Sequence, residues 1–443
     1  MLNIPKINSS LNKLSNNKYS VLDEDVITTG AFSKILNVKL NNKTKLKNNK
    51  NANYILKLQS HKYKYEAKNE IEILLKLKKN KTKFKSKLIT MLNTVNENNI
   101  LYIDDTYDNL SKIVDIDDYY IDDSYFYIIM KKYECTLEEF NIIYNKEIGE
   151  TLPTNLIKKI INSLFVGLYE LQISKIIHCD IKPNNILIEI KNNKSLYEII
   201  KLIKKDPFKS ILLYENIDIK LIDFNKSQRY NSIYKSTSIQ TIYYMAPEII
   251  LNNKNFNNGI DVWSIGAIIY ELVTSCYLFD IFNENEINGK NYNNYNVHIE
   301  KSKYILESNK FRSSSKYSSD SSNVSSNDSS YDSDMPIIYA HHLALLTQYH
   351  KLFNNNNYIY GLDVPLFYHN NKLLTDIKAV DPDASNNFEK LFNSDISYDE
   401  EDFNNKILNI LKKIFVYNIT ERISVEEFIF KNIFYNNNNE LLL

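Results

Sequence analysis

The sequence predicts an α+β protein of two lobes, in which a small β-rich N-terminal lobe precedes a larger and mainly helical C-terminal lobe. Short β-like runs alternate with turn and charge clusters from residue 21 to about residue 130. From residue 135 onward, apolar residues recur mainly at helical spacing. The chain has 443 residues and is 43% hydrophobic. This is enough apolar material for a substantial core.

The N-terminal lobe is predicted from five β-like runs and one helical segment. The runs are VITTGAF, ILNVKL, YILKL, NILYID and YFYIIM, all rich in β-branched and aromatic residues. Between the third and fourth runs, YEAKNEIEILLKLKK places Ile71, Leu74 and Leu75 on one predicted helix face. Residues 1–20 are polar, and we expect them to form a flexible tail.

Two helices are the clearest predictions in the C-terminal lobe. The segment NLIKKIINSLFVGLYELQ is amphipathic, whereas IDVWSIGAIIYELVTS is almost wholly apolar and is expected to be buried. Two further stretches are predicted insertions, at about 191–216 and 283–336. The second contains a segment rich in Ser, Asp and Asn, which we expect to be disordered because it can bury little apolar surface. It is either an inert loop expansion or a phosphorylated regulatory or docking tail.

Composition excludes several classes of protein. The 54 basic and 54 acidic side chains give zero net charge, which argues against a general polyanion binder, so no direct nucleic-acid binding is expected. The three widely spaced cysteines predict neither a disulfide framework nor a zinc site. No apolar run approaches the roughly 18 residues of a membrane span, and the N-terminus lacks the apolar centre of a signal peptide. We expect a soluble, monomeric, intracellular protein of the cytoplasm or nucleus, with no membrane partner.

The segment IIHCDIKPNNILI carries the strongest chemical signal. It contains His178, Asp180, Lys182 and Asn185 in the order H-x-D-x-K-x-x-N. This order supplies a carboxylate that can accept a hydroxyl proton, an ammonium group, and a carboxamide oxygen for a metal ion. Asp223 follows in IKLIDFNKS, directly after a β-like run, where a carboxylate can bind a Mg²⁺ ion that bridges nucleotide phosphates. The motifs Ala-Pro-Glu and DVWSIG come later in the chain.

In this order, the motifs resemble those of the eukaryotic protein kinases. The resemblance covers residues 21–436, with an N-lobe at 21–130, a hinge at 131–133 and a C-lobe at 134–436, followed by a tail at 437–443. It implies a bilobal protein kinase fold with ATP and Mg²⁺ as cofactors. It also implies transfer of the γ-phosphoryl group of Mg·ATP to Ser or Thr hydroxyls of protein substrates.

The resemblance also assigns roles to individual residues of the C-lobe. Asp180 would accept the proton of the substrate hydroxyl, and Lys182 would neutralise the migrating phosphoryl group. Asn185 and Asp223 would hold Mg²⁺. A lysine two residues after the catalytic aspartate is typical of Ser/Thr kinases. Thr241, just before Ala-Pro-Glu, fits the same type, and its hydroxyl is expected to meet Asp180 and Lys182.

Residues of the N-lobe match the phosphate-binding part of a kinase nucleotide site. Lys57 in YILKL matches the strand lysine that pairs with the α- and β-phosphates, and Glu70 in NEIEILL is its expected ion-pair partner. VITTGAFSKIL resembles the hairpin that covers the phosphates. Of its three glycine positions, only the middle one holds glycine, as Gly30.

The adenine pocket is placed by the same resemblance. Met130 matches the gatekeeper position at the end of YFYIIM. Adenine would then be held by the backbone C=O of Lys131 and the backbone N–H of Tyr133. The other residues expected to line the pocket are Ile27, Ile35 and Ile55.

Several positions depart from the family pattern. Thr28 and Ser33 replace the outer glycines of the hairpin, and Ile55 stands where alanine is usual. Asn225 replaces the glycine of Asp-Phe-Gly, and asparagine tolerates left-handed backbone angles better than most residues. Cys179 replaces the arginine that couples the catalytic loop to a phosphorylated activation segment. We therefore expect basal activity without prior phosphorylation.

These departures leave two alternatives to a protein kinase. The first is a pseudokinase scaffold, which binds nucleotide or partners without phosphotransfer. The second is a kinase-fold enzyme with a small-molecule acceptor. The Ala-Pro-Glu motif and the DVWSIG helix argue against the second, because in the family they build the peptide-substrate platform.

Within the family, several details are similar to the SR-protein kinases of the CMGC group. These are the non-arginine residue in the catalytic loop, the insertion before Asp223, and the segments GAFS, SIQTIYY, YELVTSCYLFD and HHLALLTQYHKLF. The implied substrates are Arg/Ser-rich proteins gripped by acidic residues. The acidic stretch DISYDEED (395–402) is either such a contact or the flank of a helix.

Arginine is rare in the chain, which contains only Arg229, Arg312 and Arg422. Arg422 in ITERISVEEFI matches the late arginine that pairs with the glutamate of Ala-Pro-Glu, here Glu248. A guanidinium offers a carboxylate a bidentate partner, which lysine cannot reproduce. The sequence assigns no role to Arg229.

Overall fold

The structure is a computed structural model. It describes residues 4–29, 33–41, 53–95, 110–191, 194–232, 236, 239–279, 387–395 and 401–430, together with separate positions between 342 and 373. The chain divides into two compact units, one of residues 1–234 and 424–443 and the other of residues 235–423. The predicted strand NILYID and the predicted insertion at 283–336 lie outside the described residues.

An antiparallel sheet of five strands forms the N-terminal region. Its strands are β1 (Tyr19–Thr29), β2 (Ser33–Leu40), β3 (Asn53–Ser60), β4 (Ile116–Ile121) and β5 (Tyr125–Lys131), in the order β1-β2-β3-β5-β4. On β2, the alternate residues Leu36 and Val38 are buried, whereas β3 is buried on both faces from Leu56 to Gln59. The sequence did not predict β4, because its segment IDDYYI contains adjacent aspartates, which strands disfavour.

A helix, α1 (Ile4–Leu14), precedes the sheet. Its Ile7 and Leu11 are one helical turn apart and are buried in one apolar cluster with Tyr19 and Leu36 of the sheet. The prediction of a flexible tail over residues 1–20 missed this helix. The segment is polar on average, so its composition did not indicate that Ile7 and Leu11 can attach a short helix to the sheet.

The helix α2 (Lys64–Val95) follows β3 and carries one buried face. Ala67, Glu70, Leu74 and Leu77 are buried along this face at spacings of three and four residues. Leu75, which the sequence placed on the same face, is 38% exposed. It lies one residue beyond Leu74, and that step turns it about 100° around the helix axis toward solvent.

Two long helices and several short strands follow the sheet in the first unit. The helices are α3 (Leu137–Ile148) and α4 (Thr154–Ile173), and the strands are β6 (Cys135–Thr136), β7 (Ile176–Ile177), β8 (Ile186–Ile190), β9 (Ile217–Leu221) and β10 (Gln228–Arg229). Strands β6, β8 and β9 form one sheet, and β7 pairs with β10. On α4, a Cβ at Gly167 would lie 3.0 Å from Leu221 Cδ1, so glycine lets the helix approach β9 closely.

The predicted insertion at 191–216 lies between β8 and β9. The two strands pair directly on either side of it, with Ile190 opposite Ile217. It contains α5 (Leu196–Lys205) and α6 (Ile211–Asn216). Helix α5 starts with a capping box between Ser195 and Glu198. It buries one apolar face, formed by Leu196, Ile199, Ile200 and Ile203.

The second unit is mainly helical. Its helices include α7 (Pro247–Ile250), α8 (Gly259–Thr274), α9 (Asn387–Asp395) and α10 (Glu401–Ile414), and a short hairpin joins β11 (Tyr368–His369) to β12 (Lys372–Leu373). Helix α8 is buried along almost its whole length, as its apolar sequence predicts. The ring of Trp263 on α8 lies 5.0 to 5.9 Å from the rings of Phe279, Tyr349 and Phe415. The last helix, α11 (Val425–Phe428), returns to the first unit.

A β-sheet N-terminal region and a helical C-terminal region confirm the predicted α+β fold class. Among the helices in the described ranges, none combines the length and hydrophobicity needed to cross a lipid bilayer. Most of the candidate site residues lie in the first unit. Strand β3, helix α2 and the ends of β8 and β9 belong to the first unit, and they carry most of the residues that the sequence singled out.

Candidate active site

Lys57 on β3 lies between two carboxylates. Its Nζ is 2.7 Å from Glu70 Oε1 on α2 and 2.8 Å from Asp223 Oδ1, which follows β9. The side chains of Lys57 and Glu70 are 8% and 1% exposed, whereas that of Asp223 is 33% exposed. The structure therefore brings Asp223 to Lys57, which lies 166 residues earlier in the sequence, and to its neighbour Glu70.

The charges in this group determine one another's ionisation. Burial by itself lowers the pKa of Lys57, but the charges of Asp223 and Glu70 outweigh burial and hold that pKa above its usual value. Burial raises the pKa of Glu70, against the opposing effect of Lys57. Burial also acts to raise the pKa of Asp223, but Lys57 outweighs it and keeps that pKa below its usual range. At neutral pH, Lys57 is therefore a cation and Asp223 an anion.

The backbone of the segment 178–180 is fixed by His178. Its Nε2 donates to the carbonyl O of Ile222 over 2.9 Å, and its Nδ1 accepts from the backbone N–H of Asp180 over 3.3 Å. These two contacts assign the neutral tautomer with the proton on Nε2. Burial lowers the pKa of His178, in agreement with a neutral ring. Cys179, between His178 and Asp180, has a positive φ of 68°, so the backbone turns tightly there.

Asp180 has two lysine neighbours. Lys182 Nζ and Lys226 Nζ each lie 3.5 Å from Asp180 Oδ2. The Asp180 side chain is only 7% exposed. Sequence reasoning predicted Lys182 but missed Lys226, although Lys226 follows Asp223 by three residues in IDFNKS. The pair of ammonium groups gives this carboxylate a strongly positive surrounding.

Asn185 and Asp223 are held beside each other by the β8–β9 hairpin. Asn185 ends a short 3-10 helix (Pro183–Asn185) just before β8, and its backbone O accepts from the N–H of Ile222 over 3.0 Å. Its side-chain Nδ2 donates to the backbone O of Asp180 over 2.8 Å. Because the amide nitrogen is held in this way, the carboxamide oxygen is the atom left for a metal. A carboxamide oxygen and a carboxylate are ligands that Mg²⁺ prefers, so the residues present fit this ion.

Three of the residues predicted to line the nucleotide pocket lie on adjacent strands. Ile35 on β2 is paired with Lys57, and Ile55 on β3 is paired with Met130 on β5. Ile55 and Lys57 are two residues apart on one strand, so their side chains point to the same face of the sheet. Met130 is buried.

The remaining pocket residues are described only in part. Ile27 on β1 is 45% exposed. Lys131 ends β5, and its Nζ lies 2.6 Å from Glu189 Oε1 on β8. Tyr133 is partly buried two residues beyond the strand. Gly30 lies outside the described residues.

Asn225 does not have the backbone conformation expected from the sequence. Its φ is not positive, whereas Asp223, two residues earlier, has a φ of 66°. The left-handed residue of this turn is therefore the aspartate. The expectation of left-handed backbone angles at Asn225 is therefore wrong. Its side chain instead donates to Asp223 Oδ1 over 2.6 Å.

Thr241 belongs to the second unit. It directly precedes a 3-10 helix (Ile242–Tyr244) that leads to the Ala-Pro-Glu motif and α7. Next to it, Gln240 has a φ of 63°, and its side chain donates to Ile260 O and accepts from the N–H of Ala246. The contact expected between Thr241 and Asp180 stays a prediction.

Arg422 and Glu248 form the bidentate pair that the sequence predicted. Nη1 lies 2.7 Å from Oε1 and Nη2 lies 3.1 Å from Oε2 of Glu248. The other guanidinium N–H groups donate to Gly259 O and Val416 O, so all five donors are satisfied. The guanidinium also lies 5.0 Å from the ring of Trp263. The pair therefore connects α7, the start of α8 and the chain after α10.

A five-stranded sheet with one principal helix, followed by a mainly helical region that contains the 178–185 loop, is the protein kinase fold. The family model described as "Protein kinase domain" matches residues 22–434, which is nearly the whole chain. The chain therefore belongs to the protein kinase domain family. Proteins of this family use ATP and Mg²⁺ in general.

Named relatives support the family assignment over part of the chain. A probable serine/threonine-protein kinase of Dictyostelium discoideum is 35% identical over 34% of this chain and 20% of its own length. The serine/threonine-protein kinase pakH of the same organism is 36% identical over 33% of this chain and 23% of its own length. Calcium-dependent protein kinase 4 of Plasmodium berghei is 26% identical over 45% of this chain and 31% of its own length. The matches thus span about a fifth to a third of these relatives.

Proposed function

We propose that the chain is a protein serine/threonine kinase that transfers the γ-phosphoryl group of Mg·ATP to Ser or Thr hydroxyls of proteins. The contact of Lys57 with both Glu70 and Asp223 carries the proposal. It joins a phosphate-binding cation to a metal-binding carboxylate, in the ionised states that both functions need. A kinase catalytic centre requires both elements in place at once.

The residues around this contact have complementary roles. Lys57 binds the α- and β-phosphates, and Asp223 with the carboxamide oxygen of Asn185 holds Mg²⁺. When bound, Mg²⁺ neutralises charge on the phosphates.

Asp180 orients the acceptor hydroxyl and takes its proton as the hydroxyl oxygen bonds to the γ-phosphorus and the bond to the β-phosphate oxygen breaks. The ammonium groups of Lys182 and Lys226 stabilise the negative charge of the phosphoryl group during transfer. Both lie next to Asp180, where the acceptor hydroxyl must approach.

The first prediction is that the wild-type protein both binds Mg·ATP and transfers phosphate. Mg·ATP should raise its melting temperature, and [γ-³²P]ATP should label a general protein substrate such as myelin basic protein or histone. The Lys57→Met variant should lose the labelling, which excludes a contaminating kinase. A wild-type protein that binds Mg·ATP but labels no protein substrate would favour the pseudokinase alternative.

The second prediction concerns the substrate. We propose Arg/Ser-rich proteins, as in the SR-protein kinases. Two features support this proposal: Cys179 at the non-arginine position of the catalytic loop, and the helical insertion between β8 and β9. Peptides that are Arg/Ser-rich, acidic or proline-directed should be compared at equal concentration. We expect kcat/KM to be at least about tenfold higher for the Arg/Ser peptide, since a single charged contact supplies that factor. Equal rates on all three would exclude the subfamily assignment.

A further inference from the structure

Two amide side chains close a ring of hydrogen bonds around the Lys57 group. Gln59 Nε2 lies 3.3 Å from Glu70 Oε2 and 2.9 Å from Asn225 Oδ1. Asn225 Nδ2 lies 2.6 Å from Asp223 Oδ1, the same oxygen that Lys57 contacts. The hydrogen bonds therefore form a closed ring of five side chains, which we call the polar ring: Lys57, Glu70, Gln59, Asn225 and Asp223.

The geometry of β3 explains how the ring forms. Lys57 and Gln59 are two residues apart, so both point to the same face of the sheet. Each of them reaches a different oxygen of the Glu70 carboxylate. Each then reaches a different residue of the metal-binding turn, Lys57 to Asp223 and Gln59 to Asn225. Two parallel bridges thus connect α2 to this turn.

The orientation of Gln59 is determined by its surroundings. The side chain is fully buried, and its Nε2 faces two oxygen acceptors. Its Oε1 has no hydrogen-bond partner among the described residues. Turning the amide around would place Oε1 against the oxygens of Glu70 and Asn225, so the observed orientation is the favoured one. Gln59 therefore presents its donors to Asn225, which leaves the Asn225 amide nitrogen facing Asp223.

The backbone of the same turn is attached to α2 and to the 178–180 segment. Asn69, which precedes Glu70, donates to Ser227 O over 2.8 Å and to Asn225 O over 3.3 Å. Ser227 Oγ donates to His178 O over 2.9 Å. These contacts limit movement of the turn as a whole. The side-chain ring then fixes the rotation of the Asp223 carboxylate within it.

We propose that Asn225 is a positioning residue, which holds the Asp223 carboxylate in its metal-binding orientation and is itself held by Gln59. Within the described part of the chain, Lys57 and Asn225 both donate to Oδ1, and the Asp223 side chain is 33% exposed. Oδ2 is thereby presented as a metal ligand. A glycine at position 225 has no side chain that could do this. The inference rests on the proposed Mg·ATP site.

The third prediction tests Asn225 by three substitutions. Asn225→Asp keeps the size of the side chain but replaces the donor that faces Asp223 with a second carboxylate. It should weaken Mg·ATP binding at least about tenfold, because a hydrogen bond to a charged group is lost and a like charge is added. Asn225→Gly and Gln59→Leu remove hydrogen bonds of the ring without adding a charge, and they should weaken Mg·ATP binding about three- to tenfold. Asn216→Asp is the matched control, since Asn216 donates to Leu212 O outside the ring.

Binding is measured by calorimetry with ATP in the presence and absence of Mg²⁺, and a melting curve shows that each variant is folded. A positioning role predicts that Asn225→Gly and Gln59→Leu lose affinity for Mg·ATP but not for metal-free ATP, and that the Mg²⁺ concentration for half-maximal activity rises. A purely structural role would lower both affinities equally. Wild-type Mg²⁺ dependence in Asn225→Gly and Gln59→Leu would overturn the inference and leave the proposed function intact. A wild-type protein that did not bind Mg·ATP would instead contradict the proposed function, and with it the inference about Asn225.

Discussion

Replacement of Asp180 by asparagine is expected to lower kcat for phosphotransfer about 10²–10⁴-fold, the range that a positioned general base contributes. Asparagine is nearly isosteric with aspartate, but its carboxamide cannot take the proton of the acceptor hydroxyl. The substitution also leaves Lys182 and Lys226 without the carboxylate that both now contact at 3.5 Å. The main effect should be on the rate of phosphotransfer and not on Mg·ATP binding, because Lys57, Asn185 and Asp223 are unchanged.

The measurement separates binding from chemistry. The dissociation constant for Mg·ATP should stay within about threefold of wild type, since the loss of a transition-state interaction lowers kcat without changing ground-state binding. Asp206→Asn serves as a control, because Asp206 caps a 3-10 helix and asparagine caps equally well. An Asp180→Asn variant with more than a tenth of wild-type kcat would exclude Asp180 as the proton acceptor.

Replacement of Arg422 by methionine is expected to lower the free energy of unfolding by about 3–5 kcal/mol, the usual loss when one partner of a buried ion pair is removed. Arg422 is 4% exposed and Glu248 is 6% exposed, so the substitution leaves a buried carboxylate without its bidentate partner. It also removes donors from the carbonyl groups of Gly259 and Val416. Arg422→Lys should recover only part of the loss, because an ammonium group cannot make all five contacts.

The chain offers a matched control in its other described arginine. Arg229 on β10 pairs with Glu72 on α2 at 2.8 Å, but the two side chains are 44% and 61% exposed. Arg229→Met should change the free energy of unfolding by less than about 1 kcal/mol, as is typical of exposed pairs. Urea denaturation of the wild type and the three variants gives the comparison. Equal losses for Arg422→Met and Arg229→Met would contradict the assigned importance of the buried pair.

The parts of the fold that the sequence predicted have strong local patterns. The helices α4 and α8 follow from hydrophobic spacing and from a continuous apolar run. Asp180, Lys182 and Asn185 are separated by a few residues, so one loop fixes their arrangement and their spacing is readable in the sequence. Lys57 and Glu70 were predicted through the family resemblance, because a single lysine on a strand has no distinctive pattern of its own.

The parts that the sequence missed depend on contacts between distant segments. Helix α1 is held by two apolar side chains against a sheet that forms later in the chain. Lys226 matters only because the metal-binding turn brings it to Asp180. Gln59 and Asn225 are 166 residues apart and form a hydrogen bond that no spacing rule indicates. Lysine, glutamine and asparagine are common on protein surfaces. Only the folded structure therefore distinguishes Lys226, Gln59 and Asn225 from the other residues of the same types.

The register of the β8–β9 hairpin has a consequence for how this protein can vary. Because Ile190 and Ile217 are already paired, lengthening the loop between them adds only about 0.6 kcal/mol of closure entropy for each doubling of its length. The capping box and the buried apolar face of helix α5 offset this entropic cost. Exposed residues such as Tyr197 and Phe208 can therefore be exchanged without strain reaching Asn185 or Asp223. Natural variation can thus reshape this outer surface while the catalytic hairpin beneath it stays unchanged.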